Sequence, residues 1–385
     1  MLLKNATVLN HSFALEKTDL YIKNGRFAPL SEAGPGEEQL DLAGCLIAPG
    51  LVDIHIHGFM GINVLNAPET ALDDMSLKLA QRGVTSFVPT LAAAPPSDTL
   101  KAIERICRLA RRNPSGAAIR GIYLEGPFVS PEKSGALRRE CLRGPDIGLL
   151  DDYAACAGGL LKIVAAAPEL PGAQALIRAC AARGLTASIA HTTASYEQAM
   201  AAVSWGASHV THLFNAMPPC LHRAPGVVGA AGDSDVTAEL ICDGFHIHPA
   251  VLRGAFKWLG GDRLILVSDS VMMAGLPDGT YVMDGTKSVI RGGVSRLEDG
   301  TINGGTHDLL FCVRQAASFG IPLEAALKMA TIQPAARIGA DAETGSIANG
   351  KRADCLVLDA AGTLKAVFVG GRRIPLSNGS TDLSY

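Results

Sequence analysis

Between residues 50 and 270 the chain repeats one unit, a short run of apolar and β-branched residues followed by a stretch with apolar residues at i, i+3 and i+4. The runs fall at 51–57, 84–90, 118–125, 161–167, 185–191, 208–214, 237–243 and 264–269. Between them lie helix-like segments such as 97–112, 171–184, 195–206 and 249–261, several of which end on glycine, a common helix stop. Eight strands, each followed by a crossover, predict an α/β fold of the (β/α)8 TIM-barrel type. Its chemistry gathers at the C-terminal ends of the strands.

The flanks follow another pattern. Residues 1–50 and 341–385 carry short alternating runs punctuated by Asn-Gly and Gly-Gly turns. They predict a small β-sandwich domain assembled from both ends, with the barrel spanning 51–340. Two independent end domains are the alternative, but each alone would bury too little surface to be stable.

Composition removes several function classes. A net charge of −3 and the lack of any basic run argue against a nucleic-acid binder. No apolar run approaches a membrane span, and the N-terminus lacks the apolar core of a secretion signal, so a cytoplasmic protein is expected. The nine cysteines are scattered singly with no CxxC pair, which suits reduced structural thiols.

The strand ends carry the chemistry. The stretch LVDIHIHGF, residues 51–59, places Asp53, His55 and His57 at alternate positions, on one face of an extended strand. Alone it reads equally as a strand with a polar, solvated edge. The third run, however, ends in Glu125, the fifth in His191, the sixth in His212 and the eighth in Asp269. Imidazoles and carboxylates are what divalent transition metals prefer, and a barrel brings its strand ends into one mouth.

The segments DIHIHG, GIYLEGPF, SIAHTTA, THLFNAM, HRAPG, CDGFHIHP and LVSDS, in this order, resemble the N-acetylglucosamine-6-phosphate deacetylases of the amidohydrolase superfamily. GSIANGKRADCLVLD resembles the closing β-domain signature of that superfamily, so the likeness spans nearly the whole chain. The resemblance implies a metal-dependent deacetylase that converts an N-acetyl amino-sugar 6-phosphate to acetate and the free amine. It implies Glu125, His191 and His212 as principal ligands, with His55 and His57 serving a second ion and Asp269 also among the metal-binding residues. One or two ions per subunit are expected, Zn2+ foremost, with Fe2+, Co2+ and Mn2+ also suited to the donors. Asp269 is implied as general base and acid at the metal, and His246 as the group polarising the acetyl carbonyl.

Substrate contacts are implied for Asn215 and Ala216, and for His222 and Arg223, the arginine meeting the 6-phosphate across a homodimer interface. Ala136 and Leu137, and the stretch Ile302, Asn303, Gly304 and Gly305, match further substrate-facing positions. Two segments depart from the family pattern: in KSGALRRE Leu137 stands where a histidine would contact the sugar, and INGGTHDLL, residues 302–310, replaces a small and apolar pattern, with His307 and Asp308 unexpected there. Both departures bear on the sugar, leaving N-acetylgalactosamine 6-phosphate or another N-acyl substrate as alternatives. A cyclic amidase commonly carries a carboxylated lysine at the end of strand four, and here that run is followed by Pro168 and Glu169 without one. A scaffold that had lost its chemistry would lack ligands that this chain retains.

Other polar residues have plainer readings. His209, His248 and His11 are expected to be structural or surface residues, and Glu169 and Asp243 to be loop-capping carboxylates. Arg138 and Arg139 read as a solvated pair. Asp53 is either support for a ligand histidine or a structural hydrogen-bond partner. Cys220 and Cys242 lack a partnered base and are poor nucleophiles.

Overall fold

The computed structural model describes residues 1–283 and 285–376, so residues 377–385 of the expected end domain lie outside the described residues. All eight expected runs are strands: β1 (Leu51–Ile56), β2 (Val84–Leu91), β3 (Ile122–Leu124), β4 (Leu161–Ala166), β5 (Thr186–Ile189), β6 (Ala207–Val210), β7 (Thr237–Ile241) and β8 (Leu264–Val267). The third expected run is broken at Arg120 and Gly121, and its first piece, Ala118–Ile119, pairs separately with β2. Each strand runs parallel to the next from β1 to β8. The ring closes where Ile56 bridges Ser270, with the Asp269 N–H donating to the His55 carbonyl at 3.0 Å.

Helices cover the outside: α1 (Glu69–Ala80), α2 (Pro96–Arg112), α3 (Ile147–Ala157), α4 (Ala173–Ala182), α5 (Tyr196–Trp205), α6 (Gly226–Asp233), α7 (Pro249–Leu259) and α8 (Leu309–Ser318). Local chemistry sets their limits. Helix α5 starts on a reciprocal Ser195–Gln198 capping box and stops at Gly206, whose φ of 115° favours glycine. Helix α2 starts with proline in its first turn and buries Ala102, Ile103, Ile106 and Leu109 on one face. β1 is buried along its whole length, which removes the solvated-edge reading of the His55–His57 segment.

Both chain ends meet in a second sheet of eight strands. Its junction is the antiparallel pair Leu46–Pro49 with Cys355–Leu358, which ties the N-terminal strands to the C-terminal ones just before β1 begins. Leu3, Val8, Ile22, Phe27, Ile47 and Phe368 form its own apolar cluster.

One element has no counterpart in the sequence reading. Between β8 and α8 a three-stranded antiparallel sheet, Gly279–Met283, Thr286–Arg291 and Val294–Leu297, projects over the barrel mouth. Its second turn is Gly292–Gly293, both at positive φ, the pattern of a tight hairpin.

Barrel closure continues from Ser270 to Gly305, whose N–H donates to the Asp269 carbonyl at 2.7 Å. A methyl group at Gly305 would lie 2.1 Å from the Ser268 carbonyl oxygen. Gly305→Ala should therefore cost about 1–3 kcal/mol, read as a lower unfolding midpoint in urea. An unchanged midpoint would show that this closure yields without strain.

Candidate metal centre and substrate pocket

His55 stands next to last in β1 and His57 follows the strand, while Glu125, His191, His212 and Asp269 lie just beyond β3, β5, β6 and β8. His191, His212 and Asp269 adopt positive φ values of 42°, 27° and 47°. Non-glycine residues held there cost about 1–3 kcal/mol each and cluster at functional sites.

The six side chains converge. Glu125 Oε1 lies 3.0 Å from His191 Nε2 and 3.1 Å from His212 Nε2, and Glu125 Oε2 lies 3.2 Å from His57 Nε2. His55 Nε2 is 3.2 Å from His57 Nε2. Asp269 Oδ1 stands 3.4 Å from His55 Nε2 and 3.3 Å from His57 Nε2. Two ligand sets result, His55–His57–Glu125 and Glu125–His191–His212, with Glu125 shared.

The ring tautomers follow from the partners at Nδ1. His55 Nδ1 faces Glu239 Oε2 at 2.8 Å, His57 Nδ1 the Thr90 carbonyl at 3.1 Å and His191 Nδ1 the Lys133 carbonyl at 2.7 Å. An acceptor at Nδ1 assigns the proton to that nitrogen and leaves the Nε2 lone pair pointing into the cluster. His212 Nδ1 is buried with no hydrogen-bond partner among the described residues.

Such a cluster draws positive charge. Burial disfavours a charged His57, yet the Glu125 carboxylate and the hydrogen bond to Asp269 push its pKa up to about 9. His55 is likewise raised against burial, by the charges of Glu239 and Asp269. Burial also works against an ionised Glu125, and the surrounding imidazoles still hold it well below the usual carboxylate range. Converging imidazole nitrogens and carboxylate oxygens are the donors of first-row divalent ions, so these residues fit a metal.

A second layer orients this set, and the sequence reading missed its main member. Glu239 on β7 is fully buried, and its only signal was a carboxylate inside an apolar strand run. Its Oε1 lies 3.0 Å from His209 Nε2, so His209 is structural, as expected. Asp243 does more than cap its loop: it accepts the Phe245 and His246 N–H groups at 2.8 and 2.9 Å, and its Oδ2 lies 2.6 Å from His246 Nδ1. Burial opposes a charged His246, but the Asp243 hydrogen bond raises its pKa on balance. Asp53 takes the structural alternative, accepting from the Ser268 hydroxyl at 2.5 Å, and burial pushes its carboxyl up to about 7. Glu169 accepts from the backbone and hydroxyl of Thr193, as a loop cap does.

Above the ligands opens a cavity of about 430 Å³, lined by His57, Glu125, His191, His212, His246 and Asp269 at its base. Ala136, Leu137, Asn215, Ala216, Ile302, Asn303 and Gly304 form its walls together with Met283 from the projecting sheet. Gly305, His222 and Arg223 do not line it; Gly305 is taken up in the closure bridge, while His222 and Arg223 lie exposed on a loop beside Leu221. His307 and Asp308 are also absent from the lining. Asp308 caps α8, accepting from the Phe311 N–H at 2.9 Å, and His307 stacks on Phe311 with ring centroids 3.9 Å apart. Of the three departing residues Leu137, His307 and Asp308, it is Leu137 that reaches the pocket wall, while the 302–310 segment reaches it through Ile302, Asn303 and Gly304.

The amidohydrolase family model matches residues 46–374. The N-acetylgalactosamine-6-phosphate deacetylase of Escherichia coli O157:H7 is 34% identical over 329 residues, covering 85% of this chain and 87% of its own. The N-acetylglucosamine-6-phosphate deacetylase of Bacillus subtilis (strain 168) is 35% identical over 367 residues, 93% of each chain. Among solved structures, a mutant N-acetyl-D-glucosamine-6-phosphate deacetylase from Mycobacterium smegmatis in complex with N-acetyl-D-glucosamine-6-phosphate superposes with a TM-score of 0.88. It is 33% identical and covers 97% of this chain and 99% of its own.

Because Glu125 belongs to both ligand sets, Glu125→Gln should weaken both at once. Metal analysis of the desalted variant should fall towards zero rather than towards half. Full wild-type content would show that the imidazoles suffice without the carboxylate.

Proposed function

Because the chain belongs to the amidohydrolase family, we propose that it is a metal-dependent deacetylase acting on an N-acetylhexosamine 6-phosphate, N-acetylglucosamine 6-phosphate foremost. The observation that carries this reading is the convergence of four Nε2 atoms with Glu125 and Asp269 beneath a pocket that His246 also lines. Glu125, His191 and His212 would hold one ion, and His55 and His57 a second, with Zn2+ the best match to the donors and Fe2+, Co2+ or Mn2+ also suitable. A divalent cation held there would lower the pKa of water from 15.7 towards about 7 and polarise an amide carbonyl.

The remaining steps fall to the protein. Asp269, held ionised by the neighbouring imidazoles against the effect of burial, takes the proton of the attacking water. It then delivers that proton to the sugar nitrogen as the C–N bond breaks, so acetate and the free amine leave. His246, its Nδ1 held by Asp243, offers Nε2–H to the carbonyl oxygen as negative charge develops there. Asn215 and Ala216 line the wall that would position the sugar.

Arg223 and His222 lie exposed outside their own pocket, which supports a homodimer in which Arg223 meets the phosphate in the neighbouring site with His222 beside it. Arginine suits this, since its planar fork pairs with phosphate oxygens. A sugar phosphate does not cross membranes unaided, and the same reading places the enzyme in the cytoplasm. Among the described residues no helix is long and apolar enough to cross a membrane. Of the described residues, we assign 1–50 and 341–376 to a small β domain that carries the barrel at 51–340.

A specific observation keeps the galactosamine epimer in view: a leucine at 137 offers no hydrogen bond to a ring hydroxyl, and one relative acts on N-acetylgalactosamine 6-phosphate. A panel of both N-acetylhexosamines, each with and without 6-phosphate, assayed for acetate, tests reaction and sugar together. Turnover of a 6-phosphate sugar is expected, with Arg223→Ala raising KM for it; no acetate from any member would refute the reading. Asp269→Asn should keep its metal and lose about 10²–10⁴-fold in kcat, and retained turnover would remove Asp269 from the proton-transfer role.

A further inference from the structure

The two halves of the centre are held from behind in different ways. His191 rests on a neutral backbone carbonyl, and His212 has no side-chain partner at Nδ1 among the described residues. His55 alone is backed by a carboxylate, Glu239, at 2.8 Å. Glu239 Oε2 also accepts the His212 backbone N–H at 3.0 Å, while Oε1 faces His209 Nε2 at 3.0 Å. His209 is anchored in turn by the Thr237 hydroxyl, 2.7 Å from its Nδ1. Glu239, His209 and Thr237 stand outside both ligand sets, and Glu239 and His209 are both fully buried.

We propose that Glu239, held in place by His209, is the positioning residue that enables the His55–His57 half of the centre to hold a second divalent ion. This rests on the metal-dependent reading above. Two dications bring four positive charges into a buried site where Glu125 and Asp269 supply two negative charges. Glu239 adds a third, one hydrogen bond away. Its acceptor oxygen also fixes the His55 proton on Nδ1 and makes Nε2 a more basic ligand, and such outer partners are commonly worth about 10–100-fold in metal affinity. The Glu125–His191–His212 half makes no comparable demand, because Glu239 reaches it only through a backbone N–H.

Glu239→Gln separates charge from geometry. A glutamine carbonyl accepts from His55 and from the His212 N–H, and its amide donates to His209 once that ring moves its proton to Nδ1. Wild-type and variant protein, stripped and reloaded with Mn2+, are desalted, counted for metal and examined by electron paramagnetic resonance, with acetate release followed on the same samples. Wild type should hold two ions per chain with an exchange-coupled signal. Glu239→Gln should hold one, show the signal of an isolated ion, and bind the second about 10–100-fold more weakly. Two ions bound by the variant at wild-type affinity would overturn the proposal, as would parallel loss of both. Wild type with a single ion but active in acetate release would overturn it while leaving the deacetylase reading intact. His209→Gln, which loosens the same carboxylate without touching a ligand, should also weaken the second ion, and unchanged affinity there would count against the proposal if Glu239→Gln does not fold.

Discussion

Three imidazoles in this barrel are each pinned at Nδ1 by an acceptor, and the pinning turns their Nε2 lone pairs toward one another and toward Glu125. Lone pairs and carboxylates about 3 Å apart repel unless positive charge lies among them, and burial strengthens that repulsion by lowering the local dielectric. The elevated pKa values of His55 and His57 express the same demand in protons. A divalent cation answers it without protons and leaves every ligand in its binding form. Much else in the molecule serves this arrangement, including the positive φ of His191, His212 and Asp269 and the closure of the barrel beside His55.

Much of this was legible in the sequence because barrels translate linear position into place. A residue just past a strand must lie at the mouth, so His55, His57, Glu125, His191, His212 and Asp269 could be gathered from strand ends without knowing any distance. The eight strands followed from apolar runs at regular intervals, where periodicity is strongest. Glu239 escaped because it sits within a strand instead of at its end, where a lone carboxylate gives no sign of what it will face. Asp243 was seen only as a cap, since the hydrogen bond to His246 depends on how the loop after β7 folds back. The projecting sheet after β8 was missed although its Gly292–Gly293 turn lay open in the sequence, because GTYVM and TKSVIR do not alternate apolar with polar residue types even though their exposure alternates.

The pocket separates reaction from specificity. The converging imidazoles, Glu125, Asp269 and His246 lie at its base, whereas its walls come from segments beyond the strands: Ala136–Leu137 after β3, Asn215–Ala216 after β6, and Met283 with Ile302–Gly304 around the projecting sheet. His307 and Asp308, unusual as residue types, are absorbed into an aromatic stack and a helix cap, so they leave the wall unchanged. Leu137 is the departure that meets the substrate space. A change confined to a loop can alter which hydroxyls are recognised while the strand ends keep the chemistry constant.

On this reading the inward-facing nitrogens and carboxylates hold metal for amide hydrolysis. That role is tested most directly by stripping the protein of metal and reloading it stepwise with Zn2+ while acetate release from the preferred N-acetylhexosamine 6-phosphate is followed. The stripped protein should show no turnover, and reloading should give a rise that levels off at one or two ions per chain. Full turnover without metal, or a reloaded protein that binds Zn2+ and releases no acetate, would contradict it.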